Sequence, residues 1–196
     1  MTPTASNSAN RTIRTVFLDR DGVINRKLPE DFYVTRWEEF ELLDGVAEAI
    51  ARLNCAGLLV IVVTNQRGVA RKRMTLDNLN AVHAALQSEL AASDAYLDGI
   101  FVCPHGKDEC DCRKPLPGLF RQAQARFPQI EAATSVMIGD SLSDIEFGRN
   151  LGMATICVQA GTDHPSPGAD MGAAIADICA PSLPDAVDKL LNSSLH

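Results

Sequence analysis

Short apolar runs alternate with helix-forming segments along this chain of 196 residues. Runs rich in β-branched residues predict strands at Thr15–Leu18, Leu58–Val63, Gly99–Val102, Ser135–Ile138 and Ala154–Val158. Helical patterns predict helices at Val46–Cys55, Leu76–Ala92, Leu119–Phe127, Asp144–Leu151 and Pro184–Leu191. Strands that alternate with helices form βαβ units, in which the helices cover both faces of a parallel sheet. The sequence therefore predicts an α/β fold, a Rossmann-like three-layer sandwich with a central parallel sheet.

The chain is long enough for one domain with a buried core, to which we assign residues 13–196. Residues 1–12 predict a disordered polar tail, since they lack the basic and apolar segments of a secretion signal. Pro165–Gly168 predicts a loop near the C-terminus. The longest apolar run, Ala56–Val63, is too short to cross a bilayer. We therefore expect a cytoplasmic protein with no membrane partner.

The net charge of −7 argues against a nucleic-acid partner, because proteins that bind nucleic acid usually present a basic face. A small anionic substrate is compatible with this charge, since a few local Arg and Lys side chains can hold it. We therefore expect a monomer that acts on a small molecule.

Four of the predicted strands run directly into polar clusters. These clusters are Asp19–Gly22, Thr64–Gln66, Cys103–His105 and Gly139–Asp140. In an open parallel sheet, the ligand crevice lies outside the carboxyl ends of the strands. The recurrence of polar clusters at four such ends therefore predicts one shared site.

The first cluster contains two carboxylates two residues apart. In an extended segment, Asp19 and Asp21 point the same way and can face one reacting centre. Two carboxylates would repel a phosphate unless a cation lay between them, and Mg²⁺ bridges protein carboxylates to phosphate oxygens. Asp140, at another strand end, can supply a further carboxylate. We therefore predict a magnesium site for a phosphate substrate.

Thr64 and Lys114 complete the predicted reacting centre with a hydroxyl group and a positive charge. Both can stabilise the equatorial oxygens of a phosphoryl group during its transfer. Taken singly, each of these signals has a simpler interpretation. A lone pair of aspartates is typical of a solvated turn, Thr64 of a turn, and Lys114 of the surface.

The order of these motifs resembles the haloacid dehalogenase superfamily from about Thr15 to Val158. The superfamily pattern is DxDG after the first strand, TN after the second, a Lys before Pro-Leu-Pro-Gly, and GDxxxD after a later strand. The resemblance implies a phosphatase in which Asp19 is the nucleophile and Asp21 the general acid and base. It implies that the carboxylates of Asp19 and Asp140 and the backbone carbonyl of Asp21 bind Mg²⁺. Asp144 either supports the metal site or Lys114 without binding the metal itself, or is an ordinary acid of the first helical turn.

A cluster of cysteine and histidine residues lies within ten residues, in the loop 103–112. Three cysteines and one histidine form a common tetrahedral zinc set, here Cys103, His105, Cys110 and Cys112. We predict a zinc ion that braces this loop and so positions Arg113 and Lys114. The alternative is a set of free thiols. Cys55, Cys157 and Cys179 have apolar neighbours and are predicted to be core residues, and His83 to be a surface or core histidine.

The segments DRDGxIN, VVTNQxGVA and CPH…CDCRKPxPG resemble the heptose-1,7-bisphosphate 7-phosphatases and the related histidinol-phosphatases, neither of which has a large cap domain. The resemblance implies substrate contacts from Asn65, Gln66 and Arg67, and recognition of a second phosphate by Arg113. Ser141 stands where many heptose enzymes have a substrate-contacting Lys. Of the two substrates, we expect heptose bisphosphate. The loop after Asn25 and the zinc loop, however, are closer in length to those of the histidinol-phosphatases. A phospho-accepting receiver domain is a more remote alternative.

Overall fold

The computed structural model describes residues 12–159 and 168–192. The predicted tail, apart from Thr12, and residues 165–167 of the predicted loop lie outside this part of the chain. Within it, six strands form one sheet in which every pairing is parallel. The strands are β1 (Thr15–Leu18), β2 (Leu59–Asn65), β3 (Gly99–Cys103), β4 (Ser135–Gly139), β5 (Ala154–Val158) and β6 (Ile178–Ala180).

The strand order in the sheet is β3-β2-β1-β4-β5-β6. The chain therefore builds the sheet outward from β1 in one direction, and then from β4 in the other. This reversal between β1 and β4 leaves a crevice outside the carboxyl ends of the central strands. The fold thus places its ligand site beside the end of β1, where the DxDG motif begins.

Helices cover both faces of the sheet. They are α1 (Val46–Cys55), α2 (Leu76–Ala91), α3 (Gly118–Arg126), α4 (Leu142–Leu151), α5 (Ala169–Ile175) and α6 (Leu183–Asn192). Residues of α1, α2 and α6 share one apolar core with Val16 and Leu18 of β1, whereas α3 and α4 pack in a second core with Phe17. Successive residues of a strand face opposite sides of a sheet, so β1 contributes to both cores. The predicted three-layer α/β fold is confirmed.

The predicted strands and helices all occur, with small differences at their ends. Strand β2 continues through Thr64 and Asn65 because both residues pair with β3, and α4 begins at Leu142, two residues before its predicted start. The sequence did not predict α5 and β6. These elements are seven and three residues long, too short to show a clear hydrophobic period.

The connection between β1 and β2 contains no cap domain. Its regular elements are a short 3₁₀ turn at Trp37–Glu39 and the helix α1. Access to the carboxyl edge of the sheet is therefore limited by loops.

None of the helices in the described residues is long and apolar enough to span a membrane.

Candidate active site

Residues of two of the four polar clusters, Asp19–Gly22 and Thr64–Gln66, line a cavity of about 540 Å³. Its walls come from the ends of β1 and β2, the start of α4, the loop after β1 and the segment after the Cys–His cluster. The predicted site residues that line it are Asp19, Asp21, Thr64, Asn65, Gln66, Arg67, Arg113, Lys114, Ser141 and Asp144. The prediction of one shared site is therefore confirmed for the clusters after β1 and β2 and for Asp140, which lies beside Asp19, and is wrong for Cys103–His105, which lies outside the cavity.

Asp19, the predicted nucleophile, lies against Lys114 at the bottom of this cavity. The Lys114 Nζ donates to Asp19 Oδ1 at 2.8 Å and to the backbone oxygen of Val63 at 2.7 Å. Burial raises the pKa of Asp19 to about 7, although the charge of Lys114 acts in the opposite direction. Burial also disfavours the charge on Lys114, but Asp144 and Asp19 outweigh it and raise the pKa of that lysine. Lys114 therefore stays charged and fixes the orientation of Asp19.

Three buried carboxylates gather at the ends of β1 and β4. Oxygen atoms of Asp19, Asp140 and Asp144 all lie within 4.8 Å of one another. A side chain at Gly139 would collide with Asp144, so glycine at the end of β4 permits this close approach. Carboxylate oxygens are the donors that Mg²⁺ prefers, and a divalent cation would relieve the repulsion between these acids. The donor set therefore fits the predicted magnesium ion.

Asp144 combines the two alternatives that the sequence left open. Its Oδ1 lies 2.5 Å from Lys114 Nζ. Its Oδ2 accepts hydrogen bonds from the backbone N–H of Ser141 at 3.1 Å and from the Ser141 hydroxyl at 2.6 Å. It is thus both an acid of the first turn of α4 and a support for Lys114. Both of its oxygens are engaged in these contacts.

Asp21, the predicted acid and base, belongs to a separate hydrogen-bond network. Gly22, with a φ of 94°, begins the turn that follows it. Asp21 accepts two hydrogen bonds from Arg20 at 2.8 and 3.0 Å, one from Asn25 at 3.0 Å and one from Gln66 at 2.7 Å. Burial alone would raise the pKa of Asp21, but the charge and hydrogen bonds of these neighbours, Arg20 first, lower it. The carboxylate is therefore held in its ionised form.

Two predicted substrate-binding amides hold other site residues in place. The Asn65 side chain accepts from the Lys114 backbone N–H at 3.0 Å and donates to the Lys114 backbone oxygen at 3.2 Å. The Gln66 Nε2 donates to Asp21 and, at 2.9 Å, to Thr64 Oγ1. The segment after β2 therefore positions Lys114, Asp21 and Thr64 relative to one another.

The two arginines that were predicted to contact substrate, Arg67 and Arg113, both line the cavity. Arg67 Nη2 lies 3.5 Å from Asp31 Oδ1, and Arg71 also contacts this carboxylate, so the loop after β1 is tied to the loop after β2. Arg113 Nη1 is buried and has no hydrogen-bond partner among the described residues. A buried donor without a partner is costly, and a bound anion would satisfy it.

The sequence did not predict the roles of three residues of this site. Lys27, on the loop after β1, reaches Asp140 at 3.2 Å. Arg20, predicted only as part of a motif, is 1% exposed and donates to His83 Nε2 at 3.1 Å. Burial, together with the charge of Arg20, lowers the pKa of His83 to about 3. His83 is therefore a buried, neutral acceptor, the core form of the two predicted for it, and supports the guanidinium that holds Asp21.

The four predicted zinc ligands form a compact cluster outside the cavity. Cys103, His105, Cys110 and Cys112 offer donor atoms that lie within 4.8 Å of one another. The three sulfur atoms are separated by 3.2–3.5 Å where they contact, well beyond the length of a disulfide bond. Three thiols and one imidazole at this spacing fit a tetrahedral zinc ion. Of the other cysteines, Cys157 is buried as predicted, whereas Cys55 and Cys179 are exposed, which corrects their assignment to the core.

Comparisons with known proteins agree with this geometry. A model of HAD-hydrolase-like proteins matches residues 111–186. A D-glycero-alpha-D-manno-heptose-1,7-bisphosphate 7-phosphatase from Mycobacterium tuberculosis is 44% identical over 140 residues, which cover 71% of this chain and 73% of the relative. The chain belongs to the haloacid dehalogenase-like phosphatases. A second phosphatase of this group, the D-glycero-beta-D-manno-heptose-1,7-bisphosphate 7-phosphatase of Vibrio cholerae, is 37% identical and matches 90% of this chain and 95% of its own length.

A solved structure of another haloacid dehalogenase-like phosphatase shares the fold. The D,D-heptose 1,7-bisphosphate phosphatase of Bordetella bronchiseptica, crystallised with magnesium and phosphate, superposes with a TM-score of 0.80. It is 34% identical, and the match covers 92% of this chain and 99% of that one. The family resemblance predicted from the sequence motifs is therefore confirmed, and this chain is a phosphatase.

Proposed function

We propose that this phosphatase hydrolyses phosphomonoesters through an aspartyl-phosphate intermediate on Asp19, with Mg²⁺ as its cofactor. Its substrate under this proposal is D-glycero-D-manno-heptose 1,7-bisphosphate, from which it removes the 7-phosphate. The observation that carries the mechanism is the position of Asp19, fixed by Lys114 beside two further acids at the bottom of a cavity lined by arginines.

In the first step, a carboxylate oxygen of Asp19 attacks phosphorus and the bond between phosphorus and the sugar oxygen breaks. Asp21 gives its proton to the leaving alkoxide. Because Arg20, Asn25 and Gln66 favour the ionised form of Asp21, its carboxyl group must leave part of this network when it carries the proton.

In the second step, Asp21 takes a proton from water, whose oxygen attacks phosphorus and releases phosphate from Asp19. The ionised carboxylate that Arg20 favours is the form required here. Lys114 and the Thr64 hydroxyl stabilise charge on the equatorial oxygens in both steps. A bound Mg²⁺, held by Asp19, Asp140 and the Asp21 backbone carbonyl, would neutralise negative charge on the phosphoryl group.

The choice of substrate rests on the relatives and on the charge of the cavity. The relatives from Mycobacterium tuberculosis and Vibrio cholerae are both named as heptose-bisphosphate phosphatases. The cavity also carries Arg67 and Arg113, and Arg113 has a buried donor that a second phosphate would satisfy. Histidinol phosphate has one phosphate and an ammonium group, which suits these cations less well.

Steady-state kinetics on both anomers of heptose 1,7-bisphosphate and on histidinol phosphate test this choice. We expect kcat/KM for at least one heptose anomer to exceed that for histidinol phosphate by about 100-fold or more, since charge-assisted contacts to the second phosphate contribute roughly 1.5–3 kcal/mol each. A preference for histidinol phosphate would overturn the substrate assignment and leave the mechanism intact.

We further propose that the Cys–His cluster binds zinc and holds the segment that carries Arg113 and Lys114. That segment follows Cys112 directly, and α3 begins against it, since Gly118 donates its backbone N–H to the Asp111 oxygen at 2.9 Å. The cluster would therefore transmit its rigidity to the lysine that contacts Asp19.

Removal of zinc is expected to lower both thermal stability and activity. In the Cys110→Ser variant we expect zinc content to fall and the midpoint of thermal unfolding to drop by at least about 5 °C, since 1 kcal/mol corresponds to about 2–4 °C in a chain of this size. Metal analysis, calorimetry and phosphate release measure the three effects. Cys55→Ser, which changes an exposed thiol, is the matched control. Unchanged stability and activity after demonstrated loss of zinc would refute the bracing role.

A further inference from the structure

Lys27 lies at the reacting centre, but no sequence motif gives this lysine a role. It lies on the loop after β1, and its Nζ is 3.2 Å from Asp140 Oδ2. Its side chain is 27% exposed and lines the cavity, whereas the Asp140 side chain is fully buried. Lys27 therefore reaches a buried acid from a more exposed position than Lys114, which is itself buried.

The backbone on either side of Lys27 is held in place. Arg26 donates its backbone N–H to the Glu41 oxygen at 2.8 Å, and the two side chains form an ion pair of the same length. Farther along the loop, Asp31 contacts Arg67 and Arg71. The loop is therefore anchored on both sides, and the position of Lys27 over the cavity follows from these anchors.

An ammonium group has three N–H donors, so it can contact a carboxylate and a phosphate oxygen at once. We propose that Lys27 binds the phosphoryl group of the substrate and, through its charge, selects against substrates with a cationic group near that phosphate. This inference rests on the proposed function and adds a residue that distinguishes a sugar bisphosphate from an amino-alcohol phosphate such as histidinol phosphate.

The selection follows from the sign of the charges. Lys27 adds its positive charge to those of Arg67 and Arg113, which also line the cavity. A second phosphate is attracted to this wall, whereas an ammonium group within a few ångströms of Lys27 is repelled. Reversal of the charge at position 27 should therefore change the order of substrates as well as lower the rate.

Three substitutions at this position test the proposal. Lys27→Gln should raise KM for heptose 1,7-bisphosphate by about 10-fold or more, as expected for loss of a charge-assisted contact. Lys27→Arg should restore most of the loss, and Lys27→Glu should shift the kcat/KM ratio toward histidinol phosphate by at least about 10-fold. Lys189→Gln on α6 removes the same charge outside the cavity and should change none of these values.

Binding of inorganic phosphate separates this inference from the substrate assignment. Calorimetric titration in the presence of Mg²⁺ should show a dissociation constant about 10-fold or more weaker for Lys27→Gln than for the unaltered protein. This result supports a phosphate contact even if the heptose substrate proves wrong. Equal phosphate affinity, with KM values within about two-fold and an unchanged substrate ratio, would overturn the role of Lys27 and leave the proposed function standing. Failure of Lys27→Arg to restore binding would also count against it.

Discussion

Replacement of Asp19 by Asn is expected to lower kcat for phosphate release by about 10⁴-fold or more, because the side chain no longer attacks phosphorus. The change keeps the shape of the side chain, and its amide oxygen can still accept the hydrogen bond from Lys114 Nζ. Burial already disfavours the charge on Asp19, so removal of that charge should not destabilise the fold. Steady-state phosphate release and thermal unfolding measure the two effects.

The matched control for this variant is Asp188→Asn on α6. Asp188 is half exposed and pairs with Arg52 on the protein surface, so the same chemical change should leave the rate within about two-fold. Acid quenching during turnover of a labelled substrate should trap phosphate on the unaltered protein and none on Asp19→Asn. Substantial activity in a folded Asp19→Asn variant would rule out Asp19 as the nucleophile.

Replacement of Lys114 by Met is expected to damage both stability and catalysis. Lys114 is 3% exposed and contacts Asp19 and Asp144, so its loss leaves two buried carboxylates without their nearest counter-charge. Removal of one partner of a buried ion pair costs about 3–5 kcal/mol. Urea unfolding in magnesium-free buffer should show a loss of that size, and kcat should fall by about 10³-fold or more.

The proposed role of Lys114 can fail in two separate ways. A variant as stable as the unaltered protein would show that the ion pairs with Asp19 and Asp144 are not needed to hold the acids together. A stable variant that retains more than about a tenth of kcat would show that the ammonium group does not stabilise the transferred phosphoryl group. Lys189→Met, at an exposed position on α6, controls for the loss of a lysine.

The acids at the strand ends could be predicted because their position depends on local sequence. A short apolar run that stops at Asp19 or Asp140 fixes each residue at the end of its strand, and parallel strands end at the same edge of the sheet. The short elements α5 and β6 could not be predicted, because they show no periodic hydrophobic pattern. Their formation depends on packing against neighbouring helices and strands.

The hydrogen-bond partners of individual polar side chains were harder to predict from the sequence. Asn65 and Gln66 were predicted to contact substrate, and the structure shows that their amides hold Lys114, Asp21 and Thr64. Such partners lie up to 49 residues away along the chain, and no local pattern indicates which donor meets which acceptor.

The same limit applies to the two contacts that were missed. Lys27 meets Asp140 across 113 positions of sequence, and Arg20 meets His83 across 63. Both pairs form only when the sheet brings β1, β4 and α2 together. A lysine in a loop and a histidine in a helix carry no sign of these partners in their own neighbourhoods.

The order of strands in the sheet separates the chemistry of this phosphatase from its choice of substrate. Asp19, Thr64 and Asp140 sit on or directly after three adjacent central strands, whereas Lys27 and Arg67 belong to loops that project beyond them. A library of variants confined to residues of those loops other than Lys27 can therefore explore new phosphorylated metabolites while Asp19, Thr64 and Asp140 keep their places in the sheet. The same sheet can therefore serve one hydrolytic reaction on several substrates, and its loops are the part that natural divergence or laboratory evolution can change.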